Sequence, residues 1–276
     1  MSAGETSGPR AARVCAMLCL SSFLALGVRD PPAEDPKVKT VLEGFSSLLR
    51  TARAYEVQIA VQLQTLGRKK MEFKQEYTLR VQRPNLLSLV PHDSVLAGVK
   101  VVCDGKEVFS QLVYGPGQPS DEFTLEAAPT KLEGIASWEK LGKSVLTLQT
   151  IPGVDLLLAD GQYETIRKKY PSLRYLGTGK LDDVECQKVE LMNDSDRLEV
   201  WISGSGDPVL HRVVWSEASP NDEKKKADTQ EASGMRAVVE YRKWRTLQEF
   251  PSDAFRIEAP SAAKRVEIPP KPPSLP

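Results

Sequence analysis

The chain reads as an α+β domain in which a large antiparallel β-sheet wraps around an N-terminal helix and one or two short helices. Three observations predict this. A single apolar stripe at three- and four-residue spacing comes first, about ten segments that alternate apolar and polar residues follow, and no stretch has the strand–helix–strand rhythm of a parallel sheet. At 276 residues, 41% of them hydrophobic, the chain is long enough to bury one large core.

The elements follow in chain order. Arg10 and Arg13 precede an apolar run from Val14 to Leu26, too short to span a bilayer, and Ala25-Leu26-Gly27 has the small-x-small pattern of a cleavage site. Residues 1–27 are therefore expected to be a signal peptide, with an uncleaved membrane anchor as the alternative. Residues 28–36, "VRDPPAEDP", are a proline-rich linker. Val38, Val41, Leu42, Phe45, Leu48, Leu49 and Ala52 then form one helical stripe.

After the helix the period becomes two. Tyr55, Val57, Ile59, Val61 and Leu63 share one face, with Glu56, Gln58 and Gln62 opposite. Met71, Phe73, Tyr77, Leu79 and Val81 repeat the pattern. "NLLSLV", "VKVVC", "EVFSQLVY" and "EFTLEA" continue the meander. "PTKLEGIASWEKLG" and "GVDLLLADGQYETIRKKY" are partly helical and broken by glycine. Strands resume with "LRYLGTG", "VECQKVELM", "LEVWIS", "VLHRVVW" and "MRAVVEYRKWRTL". Residues 216–234 carry charge without apolar period and read as a disordered hairpin loop. Residues 269–276 form a proline-rich tail.

Composition and motifs narrow the function. Lys+Arg and Asp+Glu both number 37, so the basic excess that nucleic-acid binding needs is missing. The sequence holds no GxSxG, HExxH, P-loop or CxxC, and two histidines with two separated cysteines make a poor zinc set. No catalytic residue, metal or cofactor is assigned. Cys103, Asp104 and Lys106 stand close together in "VVCDGKEVF", but Asp104-Gly105 between two strand-like runs predicts a type I′ hairpin turn rather than a reactive thiol. After export Cys103 and Cys186 are the cysteines that remain. In an oxidising compartment they can pair as a disulfide; equally, each has the apolar context of a buried free thiol.

The order of helix, two long alternating strands, "VQRPNLLSLV" and "VVCDGKEVFSQL" resembles the LolA-like half-barrel superfamily of outer-membrane lipoprotein carriers. "YLGTGKLDDVECQKVEL", "LEVWISGSGDPVLHRVVW" and "VEYRKWRTLQEFPSDAFRIEAPSAAKRV" are similar, more specifically, to an uncharacterised family of predicted exported bacterial proteins with that fold. The resemblance covers residues 38–268 and gives the domain as 37–268. It implies a strongly curved sheet whose concave apolar face is partly plugged by helices, in a protein of the periplasm or cell envelope. It also implies a non-enzymatic role: holding a lipid, an acyl chain or a lipidated protein segment. Candidate lining residues are Val57, Ile59, Val61, Leu63, Met71, Phe73, Tyr77 and Leu79. The carriers have a further arginine after the Arg-Pro pair that latches a lid; here Leu86-Leu87-Ser88 stand there. The alternative is an envelope sensor or protein-interaction module without a cavity. A monomer is expected in either case.

Overall fold

The structure is a computed structural model describing residues 35–66, 71–92, 98–114, 118–136, 151–159, 163–217, 234–259, 261 and 264–266. The chain divides into Met1–Ala33 and Glu34–Pro276, and every described residue belongs to the second unit. The expected signal peptide, most of the linker, residues 218–233 of the charged loop and the 269–276 tail lie outside the described residues.

Helix α1 (Pro36–Thr51) begins where the linker was expected to end. The Asp35 carboxylate accepts the Lys37 N–H at 2.9 Å, and Pro36 occupies the first turn, where an N–H has no partner to lose. Val38, Leu42, Phe45 and Leu49 are buried on one side, the stripe that the spacing predicts.

Twelve strands make one open sheet: β1 (Ala54–Leu66), β2 (Glu72–Gln82), β3 (Leu86–Pro91), β4 (Gly98–Asp104), β5 (Glu107–Tyr114), β6 (Gln118–Ala127), β7 (Ser172–Leu181), β8 (Val184–Met192), β9 (Asp196–Ser203), β10 (Leu210–Glu217), β11 (Gly234–Leu247) and β12 (Lys264–Arg265). Their order is β12-β6-β5-β4-β3-β2-β1-β11-β10-β9-β8-β7. All neighbours are antiparallel except β12 and β6, which are parallel. Two local meanders, β1–β6 and β7–β11, are thus joined at the centre by β1 and β11. Among the described residues three short helices follow or interrupt the strands, where one or two were expected: α2 (Leu132–Ala136), α3 (Val154–Leu158) and α4 (Tyr163–Lys169). Gly153 stands at the N-cap of α3. β10 and β11 run to Glu217 and from Gly234, so the hairpin loop is shorter than expected at its first end.

Register shows how the inner face is built, because directly paired residues share a face. Tyr77, Ile59 and Tyr241 form one row across β2, β1 and β11. The next row is Gln75, Val61, Val239, Val213, Val200 and Val189. A third contains Phe73, Leu63, Ala237, Trp215, Leu198 and Leu191. α1, α3 and α4 supply the facing side of the same core, with Phe45, Leu157 and Ile166 buried in it. Two buried tyrosines fasten the α3 segment to the sheet. Tyr55 donates to the Leu157 carbonyl at 2.7 Å and Tyr241 to the Pro152 carbonyl at 2.6 Å. Gly153 lies at φ +85°, and a Cβ there would stand 2.7 Å from Val213 Cγ2 and 2.9 Å from the Tyr241 hydroxyl, so only glycine fits.

The outer face is treated differently in the two meanders. Ser88, Val102, Phe109 and Gln111 point outward from β3–β5, yet all are buried. Phe109 and Phe123 pack with ring centroids 5.5 Å apart, outside the main core cluster. The C-terminal segment is anchored on both sides of this half. It leaves β11 beside β1, where the Phe250 N–H donates to the outward-facing Gln82 side chain. It reaches the far edge of β6 as β12, with the Val266 N–H on the Phe123 carbonyl.

Candidate ligand-binding face

The apolar stripe of β1 and β2 changes character along its length. Val57, Ile59, Tyr77 and Leu79 are at most 4% exposed, sealed beneath the helices. Val61, Leu63 and Phe73 are half-buried. Met71 is 52% exposed. It continues the β1–β2 ladder opposite Thr65: the Thr65 N–H donates to the Met71 carbonyl at 3.0 Å, and the Met71 N–H to Thr65 Oγ1 at 2.9 Å. Across Thr65 on the other side is Met235 of β11, 40% exposed. The inner face therefore ends in a lip of two exposed methionines flanking a threonine. All eight sequence-predicted lining residues share this face, four in the core, three midway and one at the lip.

Several contributors were not foreseen. Met235 completes the lip, and only the β1–β11 pairing could reveal that. Gln75 breaks the apolar alternation of β2 opposite Val61. Its Nε2 donates to the Glu76 and His92 carbonyls at 3.1 and 3.4 Å, which fixes the amide orientation. Its buried Oε1 has no hydrogen-bond partner. Arg83, beside a cis Arg83–Pro84 bond, donates to the Leu49 carbonyl at 3.0 Å and the Ala159 carbonyl at 3.3 Å. It ties the last turn of α1 to the end of the α3 segment, a cation placed at helix-terminal carbonyls. The link is made from the turn between β2 and β3, by the arginine of the Arg-Pro pair itself.

Two clefts lie apart from the half-buried part of the stripe. One, about 520 Å³, is lined by outward-facing Gln58, Ala60, Glu76 and Arg242 with His92, and touches the stripe only at Ile59 and Tyr77. The other, about 280 Å³, sits where β10 and β11 are irregular, beside Val184, His211, Lys243 and Trp244. Burial pushes the His211 imidazole toward its neutral form.

The "VVCDGKEVF" stretch holds no activated thiol. Cys103 faces the core and donates to the Asn85 carbonyl at 2.9 Å. Burial raises its pKa, and the Asp104 carboxylate adds to the effect, so the thiolate is disfavoured. The hairpin turn is one residue later than expected. β4 ends at Asp104, and Gly105-Lys106 make the turn, with Gly105 alone at positive φ, +89°. That matches a glycine-first II′ turn rather than I′. Asp104 stands outside it and accepts the Lys106 and Glu107 N–H groups, both at 2.8 Å. The Cys103–Cys186 disulfide is also corrected: both cysteines are free and buried. Six strands separate β4 from β8, and Cys103 points inward while Cys186, next to inward-facing Gln187, points outward. Among the described residues no group of three or more His, Cys, Asp or Glu could hold a metal ion, and no helix is long and apolar enough to cross a membrane.

Fold and face together define a half-barrel protein of the α+β class, an open antiparallel sheet curved around helices on an apolar inner side. The chain belongs to the family described as predicted periplasmic protein (DUF2092), whose model matches residues 39–269, nearly the span of the resemblance read from sequence. No curated protein matches it. Among solved structures it is similar to a LolA superfamily protein from Nitrosomonas europaea, at 15% identity over 80% of this chain and 97% of that one, with a TM-score of 0.33. LprF from Mycobacterium bovis aligns at 12% identity over 83% and 99%, with a TM-score of 0.39. Lipoprotein LppX of Mycobacterium tuberculosis aligns at 11% over 76% and 96%, with a TM-score of 0.36. These overlays are loose, and the half-barrel description rests on the strand order and register of this chain.

Proposed function

We propose that this is an exported binding protein that holds an apolar ligand, a lipid or acyl chain or a lipidated protein segment, against the inner face of β1, β2 and β11. The observation that carries the reading is the gradient along the stripe: sealed at Ile59 and Tyr77, half-open at Val61, Leu63 and Phe73, exposed at Met71 and Met235. A face with a structural duty alone would be covered at its end, whereas this one, polar only at Gln75 and Thr65, carries large apolar side chains out to solvent. Methionine suits the entrance, since its unbranched side chain adapts to different apolar shapes. The ligand supplies the cover that the helices give to the sealed end. The role is one of binding, not catalysis, and calls for no cofactor.

A second reading is an envelope sensor or interaction module with a filled interior. The packing of α1 and α3 over the lower inner face favours it, as does the position of both clefts away from Val61, Leu63 and Phe73. Native mass spectrometry of protein taken from its exported compartment, followed by titration of delipidated protein with a fluorescent fatty acid, separates the two. Co-purified lipid, or probe uptake lost on Leu63→Asp, supports the carrier. Protein that holds no lipid and takes up no probe belongs to the second reading.

A further inference from the structure

Outside the buried region, the outer face of the sheet carries three carboxylates that each lie between two arginines. Glu56 pairs with Arg80 at 2.7 Å and Arg245 at 2.5 Å. Glu190 pairs with Arg197 at 2.5 Å and Arg174 at 2.8 Å. Glu240 pairs with Arg212 at 2.5 Å and with Arg242. Depth differs within each set. The glutamate side chains are 12%, 4% and 23% exposed, while five of the six arginines are 39% to 63% exposed. Each set hides one negative charge beneath two positive ones. Lys188 and Arg212 also lie over the Trp201 ring, at 5.2 and 5.6 Å.

The three sets leave one positive charge each. Lys188 and the exposed Arg236 of this face add two, Glu199 and the exposed Glu76 remove two, and Lys74 offsets Glu72, an excess of three in a chain whose total is zero. The charge is spread over seven consecutive strands, from β2 through β1 and β11 to β7, roughly 30 Å at the usual strand spacing. We propose that this face docks the protein on an anionic lipid surface. A spread of exposed guanidiniums without a dominant cluster fits a sheet of headgroups better than a single acidic peptide. Trp201, flanked by two cations, is the residue type that settles at headgroup depth. Each basic residue near such a surface contributes on the order of 1 kcal/mol.

The test is co-sedimentation of the full chain with phosphatidylglycerol-containing vesicles and with pure phosphatidylcholine vesicles. Binding is expected to the first alone and to fall as salt rises. The double variant Lys188→Glu, Arg236→Glu leaves all three glutamate–arginine sets intact. It should weaken vesicle binding roughly ten-fold or more at an unchanged melting temperature, each site going from attraction to repulsion. Equal binding to both vesicle types, no binding, or a double variant that binds like the parent overturns the proposal. So does retention on immobilised poly-glutamate without vesicle binding. None of these outcomes depends on whether the inner face carries a ligand.

Discussion

The two meanders share one inner face and solve the outer one in opposite ways. β3–β5 carry Val102 and Phe109 outward and keep them buried, with the C-terminal segment anchored at Gln82 and along β6. β7–β11 carry Glu190, Glu240, Arg197 and Arg212 outward and meet water directly, with carboxylates clamping arginines of neighbouring strands. A sheet of this width presents two faces, and burying both needs a second layer. On β7–β11, charged ladders hold the strands in register at little apolar exposure.

The largest expected effect comes from breaking the half with a buried outer side. Phe109→Ala should cost about 3–4 kcal/mol of unfolding free energy in urea, since it opens a cavity beside Phe123 at a fully buried site. The outward aromatic of the other half, Trp201→Ala, should cost about 1 kcal/mol. Equal costs would mean that burial of the outer side does not distinguish the halves. Next come the tyrosine fasteners. Tyr55→Phe and Tyr241→Phe each strand a buried carbonyl and should each cost about 1–3 kcal/mol, read as a lower melting temperature with little change in far-UV dichroism.

Acid should act on the exposed half. Burial alone would raise the carboxyls of Glu56 and Glu240, but hydrogen bonds from Arg80 and Arg245, and from Arg212 and Arg242, outweigh it and hold both below the ordinary carboxylate value. A depressed folded value means that the unfolded chain takes up protons first. The stability contributed is therefore present above the ordinary value and lost as pH falls through the folded one. The Glu56→Gln, Glu240→Gln double variant should melt lower than the parent at neutral pH and converge on it in acid. A gap that stays constant with pH would remove the electrostatic account. The smallest effect on stability belongs to the lip. Met71→Asp with Met235→Asp should change unfolding free energy by less than about 0.5 kcal/mol, while reducing fatty-acid probe uptake in titration.

What could be read from the sequence follows from period and range. Alternation along "YEVQIAVQL" placed Val57 and Ile59 on the inner face because that signal is local. It could not say how far the helices reach, so Ile59 and Met71 looked alike although one is sealed and the other open. The pairing proposed for Cys103 and Cys186 failed for the same reason, since the facing of a residue in one meander carries no register to the other. Glu56 and Arg245 stand 189 positions apart, and nothing local announces their contact. The turn at Gly105 was displaced by one residue because Asp104 does better as an acceptor of turn N–H groups than inside the turn.

The place of β12 bears on when this molecule can finish folding. Strands β1–β6 come early in the chain and pair locally, yet the free edge of β6 waits for residues after 247, and β1 itself waits for β11. A periplasmic protein threaded across a membrane from its N-terminus would emerge with its first half assembled as an unprotected ribbon. β11 joins the two halves and β12 takes the free edge of β6, and both lie far along the chain from their partners. Completion of the sheet thus waits on pairings of high sequence separation, made after the first meander has already formed.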